Sequence, residues 1–423
     1  MRTLLILLGL LAISIRIFAQ NDFRALDQKT YEFYNKGDYK NLKKTGDLML
    51  AGGMDYYYLR LRMGITAFNN CHYSIAAKHF TKALQFSSMD TISREYIYYS
   101  YLLSGRKADA DLYLSNVPAD KKNNLLNGVQ KPWLTDVYAG ASLSGYDYIT
   151  YNKNKLYYES VKYNYSLFAG LEASFLERFK ATLMYTNLKK TGMVYSAADS
   201  TGKDLNFTQN QLYAKLSGSI FPGWEFSGFG HFAFFTEVVP SPRPRFIGAS
   251  VTTRTDYVAG LGISKNGWKI RTGVNFSLSN FENSNQVRGE GYITFLPYSN
   301  LNLYFTSGGM FQTDRDWGET FQVNEEVGIK IARSVWLETG LVVGNSFLYS
   351  RNMGYLMNNS FMIPSTTVYC NLIVTTWKNL ALNISPFYSK NNNYSWNLNS
   401  LSRTGELNPN SFGIAFKITY NNK

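Results

Sequence analysis

The segment VKYNYSLFAGLEASF, residues 161–175, alternates apolar and polar side chains over its whole length. The apolar positions are Val161, Tyr163, Tyr165, Leu167, Ala169, Leu171, Ala173 and Phe175. The intervening polar or small positions are Lys162, Asn164, Ser166, Gly170, Glu172 and Ser174, and Phe168 is the exception among them. Because successive side chains of a strand point to opposite faces, this period of two predicts a β-strand with one apolar face. The strand is longer than the roughly 9–11 residues that cross an outer membrane.

The same alternation returns in later segments. Residues 268–278 and 412–420 place Trp, Ile, Val, Phe, Leu or Tyr at nearly every second position. An apolar sheet face needs a cover, yet no stretch with helix periodicity follows residue 132. Lipid is the simplest cover, and a sheet survives in lipid only if it closes on itself. The chain from Trp133 to Tyr420 therefore predicts a closed antiparallel transmembrane β-barrel.

The turns predict how many strands the barrel has. Six tight turns are Glu177-Arg178, Pro222-Gly223, Asn266-Gly267, Pro297-Tyr298-Ser299-Asn300, Arg333-Ser334 and Lys378-Asn379. They alternate with longer polar segments at 189–204, 237–246, 345–362 and 389–410. Short periplasmic turns and long extracellular loops are typical of outer-membrane barrels. Six turns join twelve strands, and a first and a last strand make about 14, which brings both ends of the barrel to the periplasmic side.

The tryptophans and the composition support this interpretation. Five tryptophans lie close to a short turn or to the barrel start, as expected of an interfacial girdle. They are Trp133, Trp224, Trp268, Trp336 and Trp377. The chain is also rich in Tyr (33) and Phe (28). A soluble all-β protein shares that richness, but it does not predict the placement of the tryptophans.

Residues 1–19 have the pattern of a secretory signal peptide. Arg2 gives the positive start, Leu4 to Ile15 the apolar region, and Ala19 the predicted cleavage point. The apolar run is too short to span a bilayer comfortably as an anchor. The two cysteines, Cys71 and Cys370, fall in regions of different predicted structure, so no disulfide is expected between them.

Residues 20–126 carry helix periodicity. The spacing of Gly64, Ala76, Phe80 and Ala83 resembles that of tetratricopeptide repeats, in which these positions pack paired helices together. Thirty-four residues further on, Ala110 and Leu114 occupy the second and third of these places. The resemblance implies a short periplasmic tetratricopeptide-like array, which serves either as a scaffold or as a binding surface for a protein or polymer partner. Residues 127–132 form the predicted linker to the barrel, 133–423.

The polar face of the predicted strands collects charged residues that are expected to face the lumen. They are Lys162, Glu172, Lys269, Arg271, Arg288, Glu290, Glu326 and Lys330. They would line a selective channel or form salt bridges that plug a small barrel, because 14 strands lie between filled and water-filled barrels. Counting strands leaves both interpretations open.

No catalytic, cofactor or metal site is expected. The three histidines are His72, His79 and His231, and only His231 has the phase of a lumen-facing residue. The net charge of +13 is spread along the chain without a concentrated basic patch, so no nucleic-acid binding is expected.

The order of signal peptide, repeats and barrel resembles the outer-membrane exopolysaccharide-export porins. The resemblance implies a conduit or an envelope-assembly or export component in the outer membrane of a diderm bacterium, with its repeats in the periplasm. Two alternatives remain: a non-conducting structural or docking protein, and a lipid-modifying barrel enzyme that would use His231.

Overall fold

The computed structural model describes most of the chain. The described residues are 23–118, 122, 133–146, 157–176, 178–196, 199–240, 249–281, 283–315, 318–345, 349–358, 363–377, 379–397, 402–407 and 410–422. The predicted signal peptide and the predicted linker 127–132 lie outside them. The chain divides into two compact units, a helical unit and a β-barrel unit. The predicted fold class, helices followed by a closed antiparallel barrel, is confirmed.

Within the described residues, the helical unit consists of six helices. They are α1 (23–36), α2 (Tyr39–Ala51), α3 (Tyr57–Asn69), α4 (Tyr73–Phe86), α5 (Thr91–Leu103) and α6 (Lys107–Ser115). Helices α2 to α6 are 9–14 residues long. Helices α2, α4 and α6 begin at residues 39, 73 and 107, a constant spacing of 34 residues, and α3 and α5 keep the same spacing. None of the described helices is long and apolar enough to span a membrane.

The second helix of each pair packs through three equivalent positions. Leu42, Ala76 and Ala110 are fully buried at the first of them. The second carries Gly46, Phe80 and Leu114, and the third Met49, Ala83 and Val117, all of them buried. The predicted repeat-packing residues Ala76, Phe80, Ala83, Ala110 and Leu114 therefore lie in the helical core.

Small and large residues alternate between facing helices. A Cβ placed on Gly64 in α3 would lie 2.8 Å from the ring of Phe80, which fills that gap. In the preceding pair the ring is absent, and a Cβ on Gly46 would lie 2.7 Å from Sδ of Met63 instead. Met63 of the next helix therefore fills the space that the aromatic ring fills in the following pair. A comparison of residues 34 positions apart does not detect this exchange, because the methionine stands at a different position.

We expect Gly64→Leu to destabilise the helical unit by about 3 kcal/mol, because the fully buried Phe80 leaves no space for a side chain there. The matched control is Gly52→Leu, since Gly52 is exposed and a Cβ there would make only ordinary van der Waals contacts, the nearest at 3.5 Å. Thermal unfolding of the helices, followed by circular dichroism of the full chain in detergent, measures both. Adding Phe80→Ala to Gly64→Leu should recover part of the loss.

A partly buried histidine in the helical unit accepts a hydrogen bond from a cation. Arg60 donates through Nε and Nη2 to the Asp55 carboxylate, each at 2.7 Å, and its Nη1 lies 3.1 Å from Nδ1 of His79. An arginine can only donate, so Nδ1 of His79 carries no hydrogen and the ring is neutral. Burial, together with the Arg60 charge, lowers the pKa of His79 to about 4.

Acid should therefore weaken the helical unit. The folded pKa of His79 lies below the ordinary 6.5, so only the unfolded chain takes up the proton as the pH falls from 6.5 towards 4. The expected loss reaches ~3 kcal/mol at pH 4. Helix unfolding measured against pH should lose this component in His79→Gln and keep it in His72→Gln, since His72 is exposed. An unchanged profile in His79→Gln would contradict the assignment.

Fourteen strands close the barrel. In order around the ring they are β1 (Leu134–Tyr146), β2 (Tyr157–Phe175), β3 (Phe179–Ser196), β4 (Asp199–Gly218), β5 (Trp224–Pro240), β6 (Ala249–Asn266), β7 (Ile270–Phe281), β8 (Ser284–Phe295), β9 (Leu303–Asp314), β10 (Gly318–Ala332), β11 (Val335–Val343), β14 (Ile363–Trp377), β15 (Leu380–Asn397) and β17 (Asn410–Asn421). All neighbours are antiparallel, and β17 pairs with β1, which closes the ring. Strand β16 (Ser402–Leu407) pairs antiparallel with the last residues of β15. Strands β12 (Tyr349–Arg351) and β13 (Leu356–Asn358) form a separate hairpin.

The described residues of the six predicted tight turns all lie at one end of the barrel, together with the start of β1 and the end of β17, while Glu177 and Lys378 are outside the described residues. The segments predicted as loops differ more from the structure. Residues 189–204 are mostly strand, because β3 runs to Ser196 and β4 begins at Asp199, and 389–410 includes the end of β15 and all of β16. Polar residues at these positions continue the hydrogen-bonded pairing of the strands beyond the apolar part of the wall. Polarity alone therefore predicted the ends of these strands too early.

The two faces of the wall have opposite chemistry. In β7 the outward side chains of Val274, Phe276 and Leu278 are more than half exposed, while Asn275, Ser277 and Ser279 are buried on the inner face. A water-soluble sheet has the reverse arrangement. The same inversion is found around the ring, with exposed Leu, Phe, Val, Ile and Tyr outside and buried Ser, Gln, Asn and Asp inside.

Seven inner-face aromatic rings lie over a glycine directly opposite on the neighbouring strand. The register pairs are Tyr138–Gly170, Phe168–Gly140, Phe229–Gly260, Tyr292–Gly273, Tyr304–Gly328, Tyr369–Gly340 and Phe387–Gly413. At each glycine a Cβ would overlap the facing ring. This packing explains why Phe168 interrupts the polar face of its strand: the ring covers Gly140 inside the barrel.

Candidate functional site in the barrel lumen

A short hairpin folds into the barrel from the connection between β11 and β14. Strands β12 and β13 pair with each other and not with the wall. Their turn contains three consecutive left-handed residues, Asn352 (φ 54°), Met353 (φ 55°) and Gly354 (φ 75°). This conformation is unfavourable for a methionine, so it persists only where surrounding contacts hold it.

Two wall residues hold the tip of the hairpin through its backbone. The Tyr213 hydroxyl donates to the carbonyl oxygen of Met353 at 3.2 Å, and His231 Nδ1 donates to the carbonyl oxygen of Gly354 at 2.6 Å. Since a carbonyl only accepts, Nδ1 of His231 carries the hydrogen. Nε2 of His231 lies 3.2 Å from the side-chain amide of Gln211, so the ring is fixed at both nitrogens.

An apolar cluster surrounds these two hydrogen bonds in an otherwise polar interior. Its buried members come from β1 and β3 to β7 and are Tyr138, Met184, Tyr213, Phe229, Val258 and Phe281. Met353, Tyr355 and Met357 of the hairpin and Phe168 of the wall pack against them. The rings of Tyr213 and Tyr355 meet edge to face at 5.4 Å. The hairpin therefore has a packed seat on one side of the lumen.

The base of the hairpin is fixed to another part of the wall. Arg351 Nη2 donates to Oε1 of Gln322 on β10 at 2.9 Å, and Gln322 Nε2 donates to the carbonyl oxygen of Gly344 at 3.2 Å. Strand β10 is five strands from β5 in the ring of 14. Fourteen strands at their usual spacing and tilt enclose a circle about 28 Å across between backbones. The hairpin is thus attached to well-separated parts of this circle and narrows the lumen.

Most of the predicted lumen-facing charges occupy the inner face. Arg288 forms an ion pair with Glu290, which also accepts from Asn275 at 3.0 Å. Glu326 accepts from the Tyr369 hydroxyl at 2.7 Å. Glu172 and Arg271 also lie on inward positions.

Two predicted lumen charges stand apart from the others. Lys269 lies in the turn before β7 and is exposed at the barrel end. Lys162 lies at an irregular point of the β2–β3 pairing, and its side chain is outside the described residues. Ion pairing is only part of the inner network, since tyrosines and amides bind several of the carboxylates.

The predicted tryptophan girdle needs one correction. Trp224 lies on the outer face near the turn end of the barrel, where Lys265 Nζ lies 4.5 Å from its ring centroid, and Trp133 is exposed just before β1. Trp268 lies in the β6–β7 turn, and the side chain of Trp377 is outside the described residues.

Trp336 instead lies on the inner face, directly opposite Lys330, whose Nζ is 4.5 Å from its ring centroid. Trp336 is two residues from inward-facing Glu338 and therefore lies on the same face of β11. Strand alternation predicts the face of this tryptophan better than its closeness to a turn does. Trp336 and Lys330 form a cation–π pair at the lumen end.

The structure assigns His231 a positioning contact. Its recorded partners are the Gly354 carbonyl and Gln211, neither of which is a nucleophile or an orienting carboxylate. Among the described residues, no group of three or more His, Cys, Asp or Glu side chains has the geometry to hold a metal ion. The hairpin seat was not predicted, because nothing in residues 345–362 distinguishes an inward-folded loop from an exposed one.

Comparisons with known proteins extend only to the architecture. No protein-family model and no curated protein matches the sequence. Among solved structures, the chain is similar to the Pseudomonas putida toluene transporter TodX at 7% identity, with 73% of this chain and 92% of that chain covered and a TM-score of 0.45. A Pseudomonas aeruginosa FadL homologue (10% identity, 68% and 89% covered, TM-score 0.38) and a bacterial polysaccharide outer membrane secretin (10%, 70% and 100%, 0.39) are also similar.

We expect His231→Ala to release the hairpin tip. The substitution leaves the buried Gly354 carbonyl without its donor, a loss of about 1–3 kcal/mol that raises the open population by about 5-fold to 150-fold. The measurement is the rate at which a maleimide labels Met353→Cys in a chain whose Cys71 and Cys370 are replaced by Ser.

Gln286→Ala is the matched control for this change. Gln286 is equally buried on the inner wall, but its hydrogen bonds go to Ser279 and Asp314. Equal labelling rates in the His231 and Gln286 variants would show that the imidazole does not hold the hairpin.

Proposed function

We propose that the protein is an outer-membrane channel whose lumen is narrowed by the hairpin 349–358 and whose periplasmic helices recruit a protein or polymer partner. One observation carries the proposal: the hairpin is seated by hydrogen bonds and apolar packing inside a barrel whose outer face is apolar. A solid barrel core would need no such separate element, whereas a channel needs a part that controls its width.

The outer surface supports the membrane placement. Exposed aromatic and aliphatic side chains cover the wall on every barrel strand from β1 to β17. In water this area would drive aggregation, whereas in lipid it is the favoured surface of a barrel with no unpaired edge. An outer membrane is the place for such a barrel, and the predicted export signal at residues 1–19 agrees with it.

The fixation of the hairpin supports control of the lumen rather than permanent closure. Its tip is held by two hydrogen bonds from Tyr213 and His231, each contributing about 1 kcal/mol net, with apolar packing around them. The left-handed turn opposes that fixation. Seated and released states of the hairpin therefore differ by few interactions, which suits an element that moves aside for a passing solute.

The helical unit supports recruitment of a partner. Its helix pairs repeat every 34 residues with equivalent buried positions, a tetratricopeptide-like arrangement. Arrays of this type present one continuous concave surface. The predicted partner is a periplasmic protein or polymer, and deletion of residues 20–126 should abolish its co-purification while the barrel still inserts. Retention of the partner by the deleted chain would assign binding to the barrel.

A non-conducting docking protein is the second candidate. The observation that favours it is the apolar packing of Met353, Tyr355 and Met357 against the wall, which resembles a core more than a pore lining. We propose no catalytic activity, because His231 is committed to the hairpin.

Planar-bilayer recording separates the two candidates. We expect discrete conductance from the full chain and a several-fold larger conductance when residues 349–358 are replaced by a short Gly-Ser linker, because the hairpin occupies part of a lumen about 28 Å wide between backbones. Gln286→Ala serves as a control with the hairpin intact. Silence of both the full chain and the linker variant would favour docking, and equal currents would show that the hairpin does not narrow the pore.

A further inference from the structure

A carboxylate interrupts the apolar outer face of the barrel. Glu325 lies near the middle of β10 (Gly318–Ala332) and is exposed on the outer side. Its neighbours on the same face of the strand, Phe321, Val323 and Ile329, are exposed apolar residues. The hydrogen bond recorded for Glu325 is to Oγ of Ser307, directly opposite on β9, at 2.6 Å. An ionisable group at this depth is unfavourable against lipid and marks a surface with a partner.

The surface beside Glu325 is recessed. Gly291 on β8 lies opposite Gly309 on β9, and both are on the outer face. A Cβ at either position would have no atom nearer than 3.8 Å, and at Gly289 none within 4 Å. The missing side chains leave a hollow next to the carboxylate, bordered by the larger residues of β8 and β10. The hollow and the Glu325 carboxylate together form one site on the outer face of strands β8 to β10.

The opposite flank carries donors and protruding side chains. On the outer face of β3 and β4, the Tyr185 hydroxyl and Asn187 Nδ2 both donate to Oδ1 of Asn210, at 2.7 and 2.8 Å. Tyr185 and Leu212 are each about half exposed. Lys189, two residues beyond Asn187, is also exposed, with its Nζ 5.9 Å from the Tyr165 ring centroid.

The two flanks match in depth and direction. Tyr185 is six residues beyond the first residue of β3 and Gly309 is six residues beyond the first residue of β9, so the two lie at similar heights above the turn end. Lys189 is ten residues beyond the first residue of β3 and Glu325 is seven residues before the last residue of β10, a difference of three residues between two long side chains. Strands β3 and β10 are seven positions apart in the ring of 14, which places them on opposite sides of the barrel.

We propose that copies of this chain associate head to tail in the membrane, with Glu325 of one copy receiving Lys189 of the next. The protruding Tyr185 and Leu212 of that copy enter the hollow formed by Gly289, Gly291 and Gly309. Charge complementarity and shape favour this occupant over lipid, whose acyl chains offer no donor. Because the two surfaces differ and lie on opposite sides, the contact does not close after two copies and produces rows.

Cysteine cross-linking in lipid vesicles tests the proposal. Val323→Cys, beside Glu325, and Ala214→Cys, next to Leu212 on the outer face of β4, are combined in the full chain with Cys71→Ser and Cys370→Ser. A bismaleimide should give a ladder of dimers, trimers and larger species from the double variant, whereas each single cysteine should give dimers at most. Absence of a ladder, or equally strong dimers from one single variant, would overturn the head-to-tail arrangement.

Charge variants test the assigned ion pair in the same background. Glu325→Lys and Lys189→Glu should each reduce the ladder at least five-fold, and their combination should restore it. The matched control is Glu319→Lys, since Glu319 lies on the same face of β10 but at its far end. A ladder unaffected by Glu325→Lys would overturn the assignment.

This inference rests on the proposed membrane placement but not on channel activity. Heat-modifiable gel mobility of each variant in the same vesicles reports barrel insertion separately. If the double-cysteine chain inserts but gives no ladder, the rows alone are contradicted, while failure of that chain to insert contradicts the placement.

Discussion

Closure of the sheet is the constraint on which the rest of this barrel depends. The pairing of β17 with β1, in register from Val137 with Tyr420 to Tyr146 with Ser411, leaves no edge with unpaired backbone groups. A wall that satisfies its own hydrogen bonds can present apolar side chains outward and must then place its polar ones inward. The inverted burial of β7, the polar interior and the need for an inserted hairpin all follow from this closure.

The inner face of the barrel combines aromatic packing with a polar network. Rings such as Tyr304 and Tyr369 lie across a glycine of the next strand, and the Tyr369 hydroxyl reaches Glu326, so the aromatic packing and the polar network are one structure. The lumen is then narrowed by a separate element, which rests on one apolar cluster and on Gln322.

The architecture could be predicted from sequence because it depends on periodicity. The strict alternation in 161–175 and the six tight turns predict the number of strands and the direction of each strand. They also predict which face of the wall most charged side chains occupy. Trp336 shows the limit of such reasoning, since its position near a turn suggested the outer girdle while its phase placed it inside. The hairpin shows another limit: its seat depends on contacts with strands more than a hundred residues away, such as Gly354 with His231. No local pattern records a contact of that range.

The wall donates its two hydrogen bonds at the hairpin tip to backbone atoms, while the side chain of Met353 packs against the wall. Tyr213 and His231 both bind carbonyl oxygens, at Met353 and Gly354. The two partners are therefore under unequal constraint. A replacement in the turn that tolerates a left-handed conformation keeps the two hydrogen bonds, although a change at Met353 also loses apolar packing against the wall. The wall has no such freedom, because a carbonyl accepts only from a donor in the right place. Among variants of this barrel, we expect substitutions at the hairpin turn to be tolerated more often than substitutions at Tyr213 and His231.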